Sequence, residues 1–201
     1  MSIQNQAELA VNDFDVQDEG NDFVVPEKLM HDAVSLLLKG LGESLHREGL
    51  QKTPVRFIKA LKHLTQGYEQ SGERILSSAI FHEGITDPIT VNNIDIFSLC
   101  EHHLLPFWGK MHIRYIPNGR IVGLSKIVRV CEVYSRRLQV QERLTAQIAD
   151  VIYNVLRPKE VSVKFEASHM CMMIRGVQQA NTTTVTHARR GVSGDGNGQC
   201  S

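Results

Sequence analysis

Residues 108–116 alternate in the way a half-buried β-strand must. Met111, Ile113 and Tyr115 fall on one face, and Lys110, His112 and Arg114 on the other. Such a strand needs antiparallel neighbours and an apolar layer over its inner face. The flanking sequence offers both. Ile89 to Leu99 is rich in β-branched and apolar residues and reads as a preceding strand. Val161, Val163, Phe165 and Ala167 alternate with Ser162, Lys164 and Glu166, and Thr182 to His187 is β-prone. Two helices are expected between these strands. Ser125 reads as the N-cap of one, with Ile127, Val130, Cys131, Tyr134 and Leu138 on its stripe. The other starts near Val140, carries Leu144, Ile148, Val151, Ile152, Val155 and Leu156, and stops at Pro158. On this pattern Cys131 belongs to the core and His112 to the surface. From residue 89 the order is strand, strand, helix, helix, strand, strand. That order predicts an α+β domain in which two helices cover one face of a four-stranded antiparallel sheet.

An N-terminal helical segment is expected before it, over residues 26–72. One helix opens at Pro26-Glu27, carries Met30, Val34, Leu37, Leu38 and Leu41, and ends at Gly40 and Gly42. Thr53-Pro54 starts a second, with Phe57, Ile58, Leu61 and Leu64 on its stripe. Arg56 falls in its first turn, where a cation opposes the helix dipole and is well placed to meet an anion. Residues 1–25 hold six acidic and no basic side chains, and read as a disordered acidic arm. The α+β domain is expected over 73–190, and residues 191–201 read as a disordered glycine-rich tail in which Cys200 has no role.

Charge and cysteine usage narrow the function classes. The chain has 22 basic and 22 acidic residues, so nothing global points to nucleic acid or a membrane surface. No apolar run reaches the roughly 18 residues of a membrane span, and no secretory signal is visible. A cytoplasmic protein with reduced thiols is expected. There, cysteines serve as ligands, nucleophiles or core residues more often than as bridges.

The chemistry concentrates in three places. Ser98-Leu99-Cys100-Glu101-His102-His103 presents Cys100 and His103 at Cys-x-x-His spacing, so that one turn can offer two ligands to one metal ion. His169-Met170-Cys171 lies at the end of the strand beginning at Val161, where residues i and i+2 share a face. If that end meets the Cys100 turn, the set Cys100, His103 and Cys171 is complete. Three protein ligands leave a fourth tetrahedral position open, and two thiolates with an imidazole favour zinc. Such an ion draws the pKa of a bound water down to about 7. His102 and His169 then stand beside the metal, free to move protons.

The second place is Gly123 to Arg129. A helix N-terminus carrying Ser125, Lys126 and Arg129 suits phosphate, and Arg175 could add a further cation. The third is Arg136 to Arg143. Glu142 falls near a helix start, and its carboxylate could accept from adjacent N1–H and N2–H donors, which guanine alone among the common bases offers. Gln141 could serve another ring edge.

In this order these segments resemble GTP cyclohydrolase I. The residues that carry the resemblance are Ser98 to His103, Gly123-Leu124-Ser125-Lys126, Arg137 to Thr145, His169 to Gly176, and Thr53-Pro54-Val55-Arg56. The resemblance implies the tunnelling fold, in which subunits join their antiparallel sheets into a pentameric barrel and two rings stack as a homodecamer. It implies GTP as substrate, hydrolysed to 7,8-dihydroneopterin triphosphate and formate at the entry to folate and biopterin synthesis. Residue by residue, Cys100, His103 and Cys171 match the zinc ligands, and His102 and His169 the catalytic histidines. Gln141 and Glu142 match the guanine-recognising pair. Arg56, Ser125, Lys126, Arg129 and Arg175 match triphosphate or ribose contacts, several supplied across subunit boundaries. The family usually continues past the last strand with a Phe-containing segment and a charged helix. Here Arg189-Arg190-Gly191-Val192 leads into the glycine-rich tail, and weaker subunit packing is expected. Two other readings stay open: a zinc-binding paralogue that assembles without turnover, and a tunnelling-fold enzyme acting on another pterin or a deazapurine.

Overall fold

The computed structural model describes residues 25–191. The acidic arm, nearly all of the glycine-rich tail, and Cys200 lie outside the described residues. The chain divides into two compact units, residues 1–58 and 59–201, with the division inside a helix.

In the first unit, α1 (Glu27–Gly40) has Pro26 as its N-cap, Glu27 in the first turn and Lys39 in the last, so both charges complement the helix dipole. Gly42 follows at φ 83, a left-handed conformation that suits glycine. None of the residues of α1 is buried, and Leu36, Leu37 and Leu41 are exposed. A single 3-10 turn (Glu48–Leu50) leads to α2 (Thr53–Thr65), whose Thr53 hydroxyl donates to the Gly49 carbonyl.

The second unit opens with the remainder of α2, a 3-10 turn (Gln66–Glu69) and α3 (Gly72–Ser77), where the Ser71 side chain accepts from the Arg74 amide. A small two-stranded sheet pairs β1 (Ile80–His82) with β4 (Arg120–Val122). The main sheet is built from β2 (Ile89–Cys100), β3 (Pro106–Ile116), β5 (Leu138–Gln139), β6 (Glu160–His169) and β7 (Thr184–Gly191), in the order β5-β2-β3-β6-β7. The four long strands are antiparallel, and only the two-residue β5 runs parallel to its neighbour. Helices α4 (Leu124–Ser135) and α5 (Gln141–Leu156) cover one face, α4 against β2 and α5 against β6 and β7.

The expected alternation sets the core. Met111, Ile113 and Tyr115 from β3 are buried, with Val161, Val163, Phe165 and Ala167 from β6. Ile127, Val130 and Cys131 of α4 and Leu144, Ile148 and Ile152 of α5 close over them. Helix α5 stops where Arg157 turns left-handed (φ 50) ahead of Pro158.

The structure corrects four local expectations. Ser125 is not the N-cap of α4. Gly123 takes that position, its amide donating to the Ala79 carbonyl, and α4 begins at Leu124. Leu138 is not on the α4 stripe, because the helix ends at Ser135 and Leu138 pairs with Leu99 in β5. The sheet therefore has five strands rather than four. Finally, β6 ends at His169, and Cys171 lies in a one-turn helix, α6 (Met170–Met173), so the two do not share a strand face.

Candidate active site

The candidate site forms where the ends of β2 and β6 and the start of α5 meet. The turn after β2 is closed by the Cys100 amide donating to the Leu105 carbonyl at 2.9 Å and the Leu104 amide donating to the Cys100 carbonyl at 2.8 Å. Leu104 sits at φ 54, a conformation that costs a non-glycine residue about 1 kcal/mol and that the two hydrogen bonds hold in place. The parallel pairing of Cys100 with Gln139 brings the segment 139–142 alongside this turn. The antiparallel register of β3 and β6 sets His169 opposite Phe107, and the one-turn helix α6 then carries Cys171 to the same place.

The result joins Cys100, His103 and Cys171. One donor atom from each lies within 4.8 Å of the others. Cys100 is buried, Cys171 half-buried and His103 exposed. The Cys100 thiol is 3.8 Å from Nδ1 of both His102 and His103, so distance to that thiol does not separate the two histidines. Proximity to Cys171 does, and it selects His103. Nε2 of His103 meets the Arg175 guanidinium at 2.8 Å.

Burial pushes the Cys171 thiol above its ordinary range, and the adjoining Cys100 pushes it the same way. Two crowded thiols that resist joint ionisation are what a divalent cation would relieve, so the donor set fits a soft metal such as zinc.

These side chains open into a cavity of about 240 Å³ that His102, Gln139, Val140, Gln141, Glu142, His169, Met172 and Thr184 also line. Glu142 is exposed in the first turn of α5. His169 is half-buried, and burial holds its imidazole below the ordinary histidine range, with the Glu142 carboxylate opposing the shift. Gln141, expected at a ring edge of a base, borders the cavity but is only 2% exposed. Its amide nitrogen donates to the Phe165 and Thr184 carbonyls and to the Thr186 hydroxyl, and its carbonyl meets His169 Nε2 at 2.7 Å.

Three neighbours carry no local sequence signal. Phe107 is fully buried, and its ring stacks on His169. Glu101 pairs with Arg143, which lowers its carboxyl below the ordinary range, and its other oxygen lies 3.9 Å from His102. Arg143 also donates to Gln139 at 3.0 Å. The family segments contain Glu101 and Arg143, but only the fold shows that they meet.

Of the expected polar and basic residues, Arg175 reaches the edge of this cavity through His103, whereas Ser125, Lys126 and Arg129 do not line it. Ser125 and Arg129 are exposed and Lys126 half-buried at the start of α4. The far end of α4 leads to β5, beside Cys100. The 12-residue helix is about 18 Å long, so its N-terminus lies a helix length from its β5 end. Arg56 is exposed in the first turn of α2, within the first unit.

An α+β unit with three converging soft donors and free histidines at one cavity defines a candidate metal-dependent enzyme. Residues 30–198 match the family described as GTP cyclohydrolase I. A GTP cyclohydrolase 1 from Nostoc sp. is 55% identical over 168 residues, 84% of this chain and 78% of the relative. A GTP cyclohydrolase 1 from Chlorobaculum tepidum is 57% identical over 162 residues, 81% of this chain and 72% of the relative. One from Dictyostelium discoideum is 55% identical over 163 residues, 81% and 70% of the two chains. The chain belongs to the GTP cyclohydrolase I family. No helix among the described residues is long and apolar enough to cross a membrane.

Proposed function

We propose that this chain hydrolyses GTP to 7,8-dihydroneopterin triphosphate and formate, the first step of pterin biosynthesis, and does so in the cytoplasm. The observation that carries the reading is the convergence of Cys100, His103 and Cys171 on a cavity that Glu142, His102 and His169 also line. Cys100 and Cys171 as thiolates and His103 through Nδ1 would hold a zinc ion. When bound, that ion supplies an acidified water for hydrolysis at the purine imidazole ring.

The protein's own groups do the rest. Glu142 accepts from N1–H and N2–H of guanine and orients the base. His169, kept neutral by burial, takes and returns a proton as the five-membered ring opens and formate leaves. His102, exposed beside Cys100, serves the second proton transfer. Arg175 follows from His103. A guanidinium only donates, so Nε2 accepts in the present contact. An imidazole that ligates through Nδ1 carries its proton on Nε2 and releases the guanidinium to the triphosphate.

The tunnelling fold and its assembly belong to the same proposal, with residues 73–190 as the catalytic domain and 26–72 as a helical segment before it. Outside its contact with β5, the outer edge of β2 has no neighbour among the described strands, and neither has the outer edge of β7. Antiparallel edges of that kind invite pairing with other copies. Pairing into pentameric rings, stacked as a decamer, would bring Ser125, Lys126 and Arg129 of a neighbour to each cavity.

The test is direct. Purified protein is incubated with GTP, with and without a chelator, and formate and the fluorescence of the oxidised pterin are followed. Zinc-loaded, assembled protein is expected to release both. Failure to do so would defeat the reading.

A further inference from the structure

We infer that Gln141 is a positioning residue rather than a contact for the base: it fixes which nitrogen of His169 keeps its proton. The inference rests on the proposed GTP hydrolysis only for its kinetic consequence. Phe165 and Thr184 present backbone carbonyls, which only accept, so the side of the Gln141 amide that meets them, each at 3.0 Å, is its NH₂ group. The opposite face, 2.7 Å from His169 Nε2, is then the amide oxygen, which also only accepts. Nε2 must therefore carry a hydrogen. Whatever the charge on the ring, that proton stays in place, and the proton exchanged during reaction is the one on Nδ1.

The Thr145 hydroxyl donates to the backbone carbonyl of Gln141 at 2.8 Å, so it accepts from the Thr186 hydroxyl at 2.7 Å. Thr186 oxygen in turn accepts from the Gln141 amide at 3.2 Å. The hydroxyl hydrogens of Thr145 and Thr186 and the two amide hydrogens of Gln141, shared among three acceptors, are all held within the protein, and Gln141 has none left for a base. The stacking of Phe107 on His169, 4.7 Å between centroids, fixes the plane of the ring, while Gln141 fixes its edge. In these terms Glu142 recognises the base without its neighbour.

The experiment uses full-length, zinc-loaded protein with ¹⁵N-labelled histidine, read by solid-state NMR, with His169→Asn assigning the resonance. Wild type is expected to show the Nε2–H form at His169. Gln141→Leu should lose that signature and lower kcat at least tenfold, while KM for GTP moves by less than about threefold. Gln141→Glu keeps an acceptor toward Nε2 and should restore the signature and part of kcat. Thr186→Val, which leaves Gln141 in place, provides a milder variant should Gln141→Leu fail to fold, and should weaken the signature in the same direction. A rise in KM that accounts for the loss of kcat/KM, with the His169 signature unchanged, would show that Gln141 binds the base and would overturn the inference. Wild type that makes no formate would remove the proposed function alone, because the tautomer is read without turnover.

Discussion

The rings of Phe107 and His169 lie face to face, 4.7 Å between centroids and 4° from parallel. Phe107 is fully buried on the core face of β3, so the core itself sets the plane of a half-buried imidazole at the cavity. Phe107→Leu keeps an apolar side chain but loses the stacking surface. It should cost about 1 kcal/mol of stability and lower kcat severalfold with bound zinc unchanged. Phe107→Ala also leaves a cavity and should cost about 3 to 5 kcal/mol. Denaturant unfolding beside steady-state kinetics checks both, and a Phe107→Leu enzyme with wild-type kcat would dissociate core packing from the histidine.

The candidate metal set makes a sharper demand. Cys100→Ser, His103→Asn and Cys171→Ser each remove one of three donors and should lose both zinc and activity. His102→Asn and His169→Asn remove side chains outside the set and should lower formate release while zinc stays bound. Elemental analysis of the purified variants decides this. Zinc retention in His103→Asn with zinc loss in His102→Asn would exchange the roles of the two adjacent histidines.

How much of this was legible in the chain differs from residue to residue. Cys100 and His103 could be paired by spacing alone, because a turn is a local object. The alternation in β3 and β6 announced the sheet for the same reason. Cys171 reached the site by a route that its spacing from His169 did not describe: the strand stops and one helical turn does the work. Two residues are too few to show a period, so β5 was invisible, yet it seats Gln139 beside Cys100. Ser125 looked like a cap, but the Gly123 amide is held by Ala79, a contact set by the β1–β4 pair rather than by the local sequence. Gln141 was the least legible. Its partners lie 24 to 45 residues away, and two of them are backbone carbonyls, which carry no side-chain signal at all.

Burial lowers the His169 pKa from its ordinary value of 6.5, against the opposing pull of Glu142. The unfolded chain therefore binds more protons than the folded one between the two values. Stability from this residue is complete above about pH 6.5 and falls as pH drops from there through the lowered folded value. His169→Asn should abolish that part of the acid dependence, so the wild type should lose its advantage over the variant between about pH 7.5 and about pH 5. Urea midpoints at the two pH values measure it. A widening advantage toward acid would mean that the folded protein raises the imidazole's affinity for protons instead.

Two glycine and cysteine positions test the core independently of the site. A Cβ on Gly109 would lie 1.8 Å from the Glu166 carbonyl oxygen, backbone that cannot yield without separating β3 from β6. Gly109→Ala should cost at least about 3 kcal/mol, or abolish soluble expression. Cys131 is buried in the core, and burial pushes its thiol up to about 12. Native protein treated with iodoacetamide near neutral pH should leave Cys131 unmodified until denaturant is added, as peptide mass spectrometry will show.

The strongest demand concerns Lys126 and His169. Helix α4 is about 18 Å long with its far end leading to β5 beside Cys100, and Lys126 at its start does not line the cavity that His169 lines. If neighbouring subunits complete the site, Lys126→Ala and His169→Asn disable different walls of it. Each homo-oligomer should be nearly inactive. When the two are co-expressed in equal amounts, about one quarter of the shared sites receive an intact wall from each side, and about a quarter of wild-type activity should return. Zinc content and assembly should match the wild type throughout. Mixed oligomers no more active than either parent would mean that Lys126 and His169 act within the same chain, or that Lys126 serves no site at all, and the shared-site assembly would fall.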